Sequence, residues 1–136
     1  MRHLALAATL ALAASPALAA DPVEGDWLTQ SGNARVHVGH CAAKQDLMCG
    51  TIIWLRDPAM HDAANPDATL KTRPLLGAPL IWDFKAVGAG AWTGGKIYEP
   101  ATGKTYDSKI SINPDGTLKV EGCILVLCKA QTWKRS

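Results

Sequence analysis

The 136-residue sequence has no apolar run long enough to cross a bilayer. Its longest, from Leu4 to Ala14, is about half of the roughly 20 residues that a spanning helix requires, so no integral membrane span is expected. An excess of charge of one sign is also missing. With 14 Lys and Arg against 12 Asp and Glu, and no basic patch, the chain does not read as a nucleic-acid binder. Phenylalanine is nearly absent, with one residue against five tryptophans. No Cys-x-x-Cys pair, phosphate loop, serine elbow or metalloprotease signature occurs, and the histidines do not cluster, so neither a redox pair, a cofactor nor a metal site is expected. Catalysis is the less favoured reading. Helical periodicity is hard to find anywhere.

What is present begins with a leader. Arg2 and His3 precede the apolar run, and Ser15-Pro16 and the small residues Ala17 to Ala20 follow it, which is the three-part pattern of a secretory signal peptide. Cleavage after Ala19 or Ala20 satisfies the small-residue rule equally well. No cysteine follows to carry a lipid anchor, and no paired arginines mark folded export. We therefore expect residues 1–20 to be a signal peptide and residues 21–136 to form a single β-barrel domain, delivered to the periplasm or secreted. Without Arg2 the mature chain has 13 Lys and Arg against 12 Asp and Glu, a nearly neutral balance.

All four cysteines, Cys41, Cys49, Cys123 and Cys128, lie beyond the leader. An even number of thiols in an oxidising compartment reads as disulfides. Four cysteines permit three pairings, and chain entropy does not choose among them. Geometry favours Cys41 with Cys49 and Cys123 with Cys128, because cysteines at the mouth of one hairpin meet the required Cα separation without further tertiary arrangement.

In the mature chain the dominant period is two, broken by turns every 8 to 12 residues, which predicts an all-β meander. Strands are expected at residues 25–30, 34–38, 50–55, 79–84, 92–98, 105–112, 117–123 and from Cys128 to about Arg135. Val36 and Val38 alternate with Arg35 and His37; Leu118 and Val120 alternate with Lys119 and Glu121. Asn113-Pro114-Asp115-Gly116 is the clearest turn, with proline setting φ and glycine taking the left-handed position. The third strand is apolar at both parities, so cover on both faces is expected. Eight strands suit a closed antiparallel up-and-down barrel able to hold side chains or one small ligand, with a two-sheet sandwich as the competitor.

One long connection interrupts the third and fourth strands. Residues 57–77 carry Pro58, Pro66 and Pro74, with at most one helical turn around Asp67 to Lys71, and read as a solvated lid offering Asp62, Asn65, Asp67 and Arg73. The run Ile124 to Leu127 between Cys123 and Cys128 is either a continuation of core strand or an apolar lip beside a cavity entrance. Gly94 and Gly95 allow either a sharp strand bend or close approach of a ligand.

Among the aromatics, Trp54, Trp82, Trp92, Tyr98 and Tyr106 are the candidates for a cavity wall, and Trp27 and Trp133 are assigned to a structural end. Gly25-x-Trp27 near the start of the mature chain resembles the Gly-x-Trp signature of lipocalins in the calycin superfamily. Arg135 resembles the arginine that packs over that tryptophan. More of the chain resembles the bacterial secreted family catalogued as domain of unknown function 2147. The matching stretches are Gly25-Asp26-Trp27, Cys49 to Leu55, Asn65-Pro66-Asp67, Arg73 to Gly77, Trp92 to Tyr98, Gly103 to Tyr106 and Gln131-Thr132-Trp133. The resemblance implies a lipocalin-like barrel with export, and no established reaction or ligand. Two functions follow as expectations: carriage of a small apolar or amphipathic molecule in the barrel, or docking of a filled barrel on an envelope protein through residues 57–77 and 124–127.

Overall fold

The chain closes into one ring of strands. A computed structural model describes residues 8–13 and 20–136, so most of the expected leader, with Ala19 of its cleavage region, lies outside the described residues. The strands are β1 (Gly25–Leu28), β2 (Ala34–His40), β3 (Met48–Leu55), β4 (Pro79–Gly88), β5 (Ala91–Glu99), β6 (Lys104–Ile112), β7 (Leu118–Ile124) and β8 (Leu127–Arg135). Each pairs antiparallel with the next, and β1 returns to β8 through Trp27 opposite Arg135 and Leu28 opposite Lys134. That last ladder decides between barrel and sandwich, since a sandwich leaves β1 and β8 as edges.

Period two becomes inside and outside. Val36, Val38, Leu118 and Val120 are fully buried, while Arg35 and His37 are exposed. The expected cover on both faces of β3 is not found: Ile53 and Trp54 face solvent, with the Arg35 guanidinium 5.0 Å over the Trp54 ring. A single-walled barrel buries only one face of each strand, and among the described residues no element packs outside β3 to cover the other.

Two glycines are dictated by neighbours. A Cβ on Gly95 would stand 2.5 Å from the Phe84 ring, and one on Gly50 would stand 2.6 Å from Ile81 Cγ1. Large side chains from β4 thus fill the space that β5 and β3 leave open. Gly94, at φ 68°, sits in the bulge between Trp92 and Gly95, so this pair serves the bend of the strand.

The buried cluster runs from the closed end up to Ile52, Leu80, Ile97 and Trp133, and it is densest at the closed end. Trp27, Met48, Phe84, Trp92, Ile110, Leu118 and Val120 pack there, together with Val23 from the segment that crosses the barrel bottom. The Trp27 indole N–H donates to Val23 O at 2.9 Å, and Gly90 N donates to Asp21 Oδ2 at 3.2 Å, tying this segment down as a plug. Arg135 lies over Trp27 at 4.0 Å from the ring centroid and donates to the carbonyls of Glu24 and Pro22 at 2.7 and 2.5 Å. Gly25 makes room for it, because a Cβ there would stand 2.6 Å from Arg135 Nη1. The signature residues Gly25, Trp27 and Arg135 are therefore one packed unit.

Both expected disulfides are formed, Cys41–Cys49 and Cys123–Cys128. The first crosses the β2–β3 reversal at the closed end; the second joins directly opposed residues of β7 and β8 near the other end.

Candidate functional site

The strand ends opposite the plug leave the barrel open. A cavity of about 990 Å³ occupies this upper half. Trp133, Ile52, Leu80 and Ile97 lie deep in it, Tyr106 and Gly122 contribute to the wall, and Arg56, Asp57, Glu99, Lys129 and Gln131 bring polar groups to its lining. The apolar residues follow from inward parity on β3, β5, β6 and β8. The height divides the roles: the same inward rows are filled by larger packed side chains near the plug and stand apart near the mouth.

Of the five aromatic wall candidates, Tyr98 and Tyr106 line this cavity, and Trp54, Trp82 and Trp92 do not. Strict alternation from Ile52 would turn Trp54 inward. The register slips where Arg35 and Val36 face Trp54 and Ile52, and Leu55 takes the inward place. Trp82 would share a face with Phe84, yet Asp83 adopts φ 62°, Ile81 is the buried residue, and Trp82 stands half-buried opposite Lys96. Trp92 points inward but too low, into the core, edge-on to His40 at 6.2 Å between ring centroids. Its indole N–H and the Ser108 hydroxyl are buried without hydrogen-bond partners among the described residues. Conversely Trp133, assigned to the structural end, is only 1% exposed and forms part of the cavity lining. Its row on β8, Lys129, Gln131 and Trp133, was the available signal.

Most of residues 57–77, Asp67 among them, are exposed as expected of a solvated segment, but the segment is pinned to the barrel through buried Asp62 and Asn65. Asp62 is fully buried and its carboxylate is saturated: Tyr98 Oη donates to Oδ1 at 2.5 Å, and Oδ2 accepts from Asn65 Nδ2 at 2.8 Å and from Arg73 Nε and Nη2, each at 2.9 Å. The backbone repeats the clamp, with Asp62 N donating to Arg73 O at 3.0 Å and Leu75 N to Met60 O at 3.0 Å. Asn65 Oδ1 in turn accepts from Asp67 N at 2.8 Å, and Asp67 caps a short 3₁₀ turn, Ala68–Leu70. Gly103 has no room for a side chain because the Ala64 carbonyl lies where its Cβ would be, so the β5–β6 turn abuts this loop.

Electrostatics match the geometry. Burial alone would raise the Asp62 carboxyl, but the hydrogen bonds from Tyr98, Asn65 and Arg73 and the Arg73 charge outweigh it and hold it below the ordinary carboxylate range. Burial, then the Asp62 acceptor and its negative charge, push the Tyr98 phenol up to about 12. An ionised carboxylate with a neutral phenol is thus the resting pair. All its hydrogen bonds are internal to the clamp, which makes it a positioning device for the loop that brings Met60 and Leu75 to the cavity. Among the described residues one group has three potential metal ligands close together, Cys41, Cys49 and Asp83, and its two sulfurs are bonded to each other.

The comparisons with known proteins agree with this architecture. No curated protein matches the chain. The solved structure described as "Protein HP1028 from the human pathogen Helicobacter pylori belongs to the lipocalin family" is similar at 26% identity, with a TM-score of 0.72 over 84% of this chain and 82% of that one. Residues 25–135, the whole ring of strands, match the model of the family described as uncharacterized protein conserved in bacteria, DUF2147, and the chain belongs to that family.

Proposed function

We propose that the protein carries a small apolar or amphipathic molecule in the open-ended cavity, with its apolar part against Trp133, Ile52, Leu80 and Ile97 and any polar end at the mouth. The observation that carries this reading is the volume of about 990 Å³, which lies at the upper end of the roughly 300–1,000 Å³ typical of small-molecule sites. A ligand surrendering roughly 400 Å² of apolar surface gains about 10 kcal/mol at ~25 cal/mol per Å². After an association cost of at least about 4 kcal/mol, the expected affinity is in the tens of micromolar. Among the described residues the buried acid, Asp62, is fully engaged in the clamp, which supports binding over catalysis as the reading of this site. The two disulfides and the leader pattern support a mature domain of residues 21–136 in the periplasm or secreted, after cleavage near Ala19 or Ala20.

Docking of a filled barrel on an envelope protein is less well supported, since the upper interior is hollow. Native mass spectrometry of the exported protein for co-purifying molecules, followed by tryptophan quenching with the compounds found and with lipids, haems and quinones, tests carriage. Quenching is expected, and for contact quenchers it should be largely reduced in Trp133→Phe, since Trp133 is the tryptophan that lines the cavity among the described residues. Gly122→Leu should fold, because a Cβ there meets Ile97 and Tyr106 at ordinary distances of 3.6 and 3.8 Å, but its larger side chain enters the cavity and should weaken binding about tenfold. Absence of any adduct and of any quenching would end the proposal.

A further inference from the structure

The β7–β8 hairpin ends in four consecutive aliphatic residues, Ile124, Leu125, Val126 and Leu127, which are 64%, 90%, 93% and 78% exposed. They are not core. Two conflicts with ordinary hairpin chemistry are built into this tip. Turn residues are normally polar or glycine, and Leu125 holds φ 54°, a left-handed conformation that a leucine adopts only at a cost. The disulfide Cys123–Cys128 joins the strands immediately behind the tip, so the turn is fixed in direction instead of folding back on the barrel. Ile124 and Leu127 also line the mouth of the cavity. Lys104, grouped with Ile124 and Leu125 in a shallow surface depression that also holds the Lys96–Asp107 ion pair, and Lys129, on the cavity lining, form no ion pair among the described residues. Glu99 nevertheless stands opposite Lys104 across β5 and β6 and, with Asp57, also lines the mouth.

From these observations we infer that the tip is a wedge that inserts into the surface of an anionic bilayer and seats the cavity mouth on it. Size decides against a second protein as the occupant. Four side chains fall far short of the roughly 20–30 residues a side of a stable protein interface. Depth agrees with a membrane surface: at about 3.3 Å per residue, the two residues beyond the disulfide reach about 7 Å, within the roughly 5–10 Å of the headgroup and acyl boundary. The two lysines beside the apolar tip supply attraction to anionic headgroups, which a purely apolar contact does not need. Docking does not depend on the cavity being loaded, so its failure and the failure of ligand carriage are separately observable.

Flotation of the exported, oxidised protein with vesicles tests the inference, using phosphatidylethanolamine and phosphatidylglycerol in about a three-to-one ratio against phosphatidylcholine alone. Binding to the anionic vesicles is expected, with weaker binding to the neutral ones. The double variant L125G/V126S should lose roughly tenfold or more of that binding, and its fold is secure because glycine relieves the positive φ at position 125. K104Q/K129Q should remove the preference for the anionic vesicles and leave a salt-insensitive remainder. A wild-type protein that floats with neither vesicle, or an L125G/V126S protein that floats as well as the wild type, would overturn the inference. So would tip-dependent self-association, detected by sedimentation, in the absence of vesicle binding.

Discussion

Tyr98 donates its phenolic proton to the buried carboxylate of Asp62 at 2.5 Å, tying strand β5 to a loop 36 residues earlier in the chain. One bond of this kind turns a 21-residue connection with three prolines into a fixed part of the barrel mouth. Arg73 supplies the countercharge that makes the buried carboxylate tolerable.

Removing the phenol hydroxyl isolates one oxygen of that carboxylate. Tyr98→Phe should cost about 1–3 kcal/mol, the price of a buried acceptor left without its donor. Asp62→Asn should cost more, near the lower end of roughly 3–5 kcal/mol because Arg73 is partly solvated, since an amide has no charge to face Arg73 and only one acceptor oxygen for the donors of Tyr98, Asn65 and Arg73. Urea denaturation of the two variants beside the wild type measures both, and equal stabilities for all three proteins would contradict the clamp.

The same pair sets a pH profile. Asp62 is held below its ordinary value of 3.8, so its contribution is present above that value and is lost as pH falls through the folded-state pKa. Tyr98 is raised from 10.0 to about 12, so its contribution is present below 10.0 and is lost as pH rises towards 12. The clamp should therefore stabilise the fold evenly between about pH 4 and pH 10 and weaken on both sides. Melting temperatures of Tyr98→Phe and wild type across this range should converge above pH 10; a constant gap up to pH 12 would show that the phenol proton is not what holds the loop.

Gly25 and Arg135 should be energetically coupled. Gly25→Ala places a methyl group 2.6 Å from Arg135 Nη1 at a backbone φ of 127° that suits only glycine. Arg135→Ala should itself cost about 1–2 kcal/mol, through the lost contact with Trp27 and the lost hydrogen bonds. In the Arg135→Ala background the collision vanishes and only the φ penalty remains, so the double-mutant cycle should return a coupling of about 1 kcal/mol. Simple additivity in denaturant titrations would mean that the guanidinium moves aside freely.

Much of the fold was legible one residue at a time. Alternation of Val36 and Val38 with Arg35 and His37, and the Asn113 to Gly116 turn, needed no partner strands to be recognised, because pleat and turn geometry are local. Hairpin disulfides are local for the same reason. The cavity wall was legible only in part, since the sequence advertises aromatic bulk and says nothing of height along the barrel. Tyr98 and Tyr106 reach the mouth, whereas Trp92 lies in the core. Bulges did the rest: the register slip at Arg35 and Val36 and the positive φ of Asp83 moved Trp54 and Trp82 off the inward face, and a one-residue shift reverses every side chain beyond it.

By itself the amino-acid order determined the strand count, the antiparallel succession and the thiol pairing, because each depends on residues close together in the chain. Tertiary structure alone decided that β1 meets β8, that the interior is solid below Trp133 and hollow above it, and that Asp62 is a buried anchor instead of a solvated group. Those outcomes depend on ring closure and on contacts between distant segments, and no local pattern of side chains encodes the distance between two residues that meet only when the ring is shut.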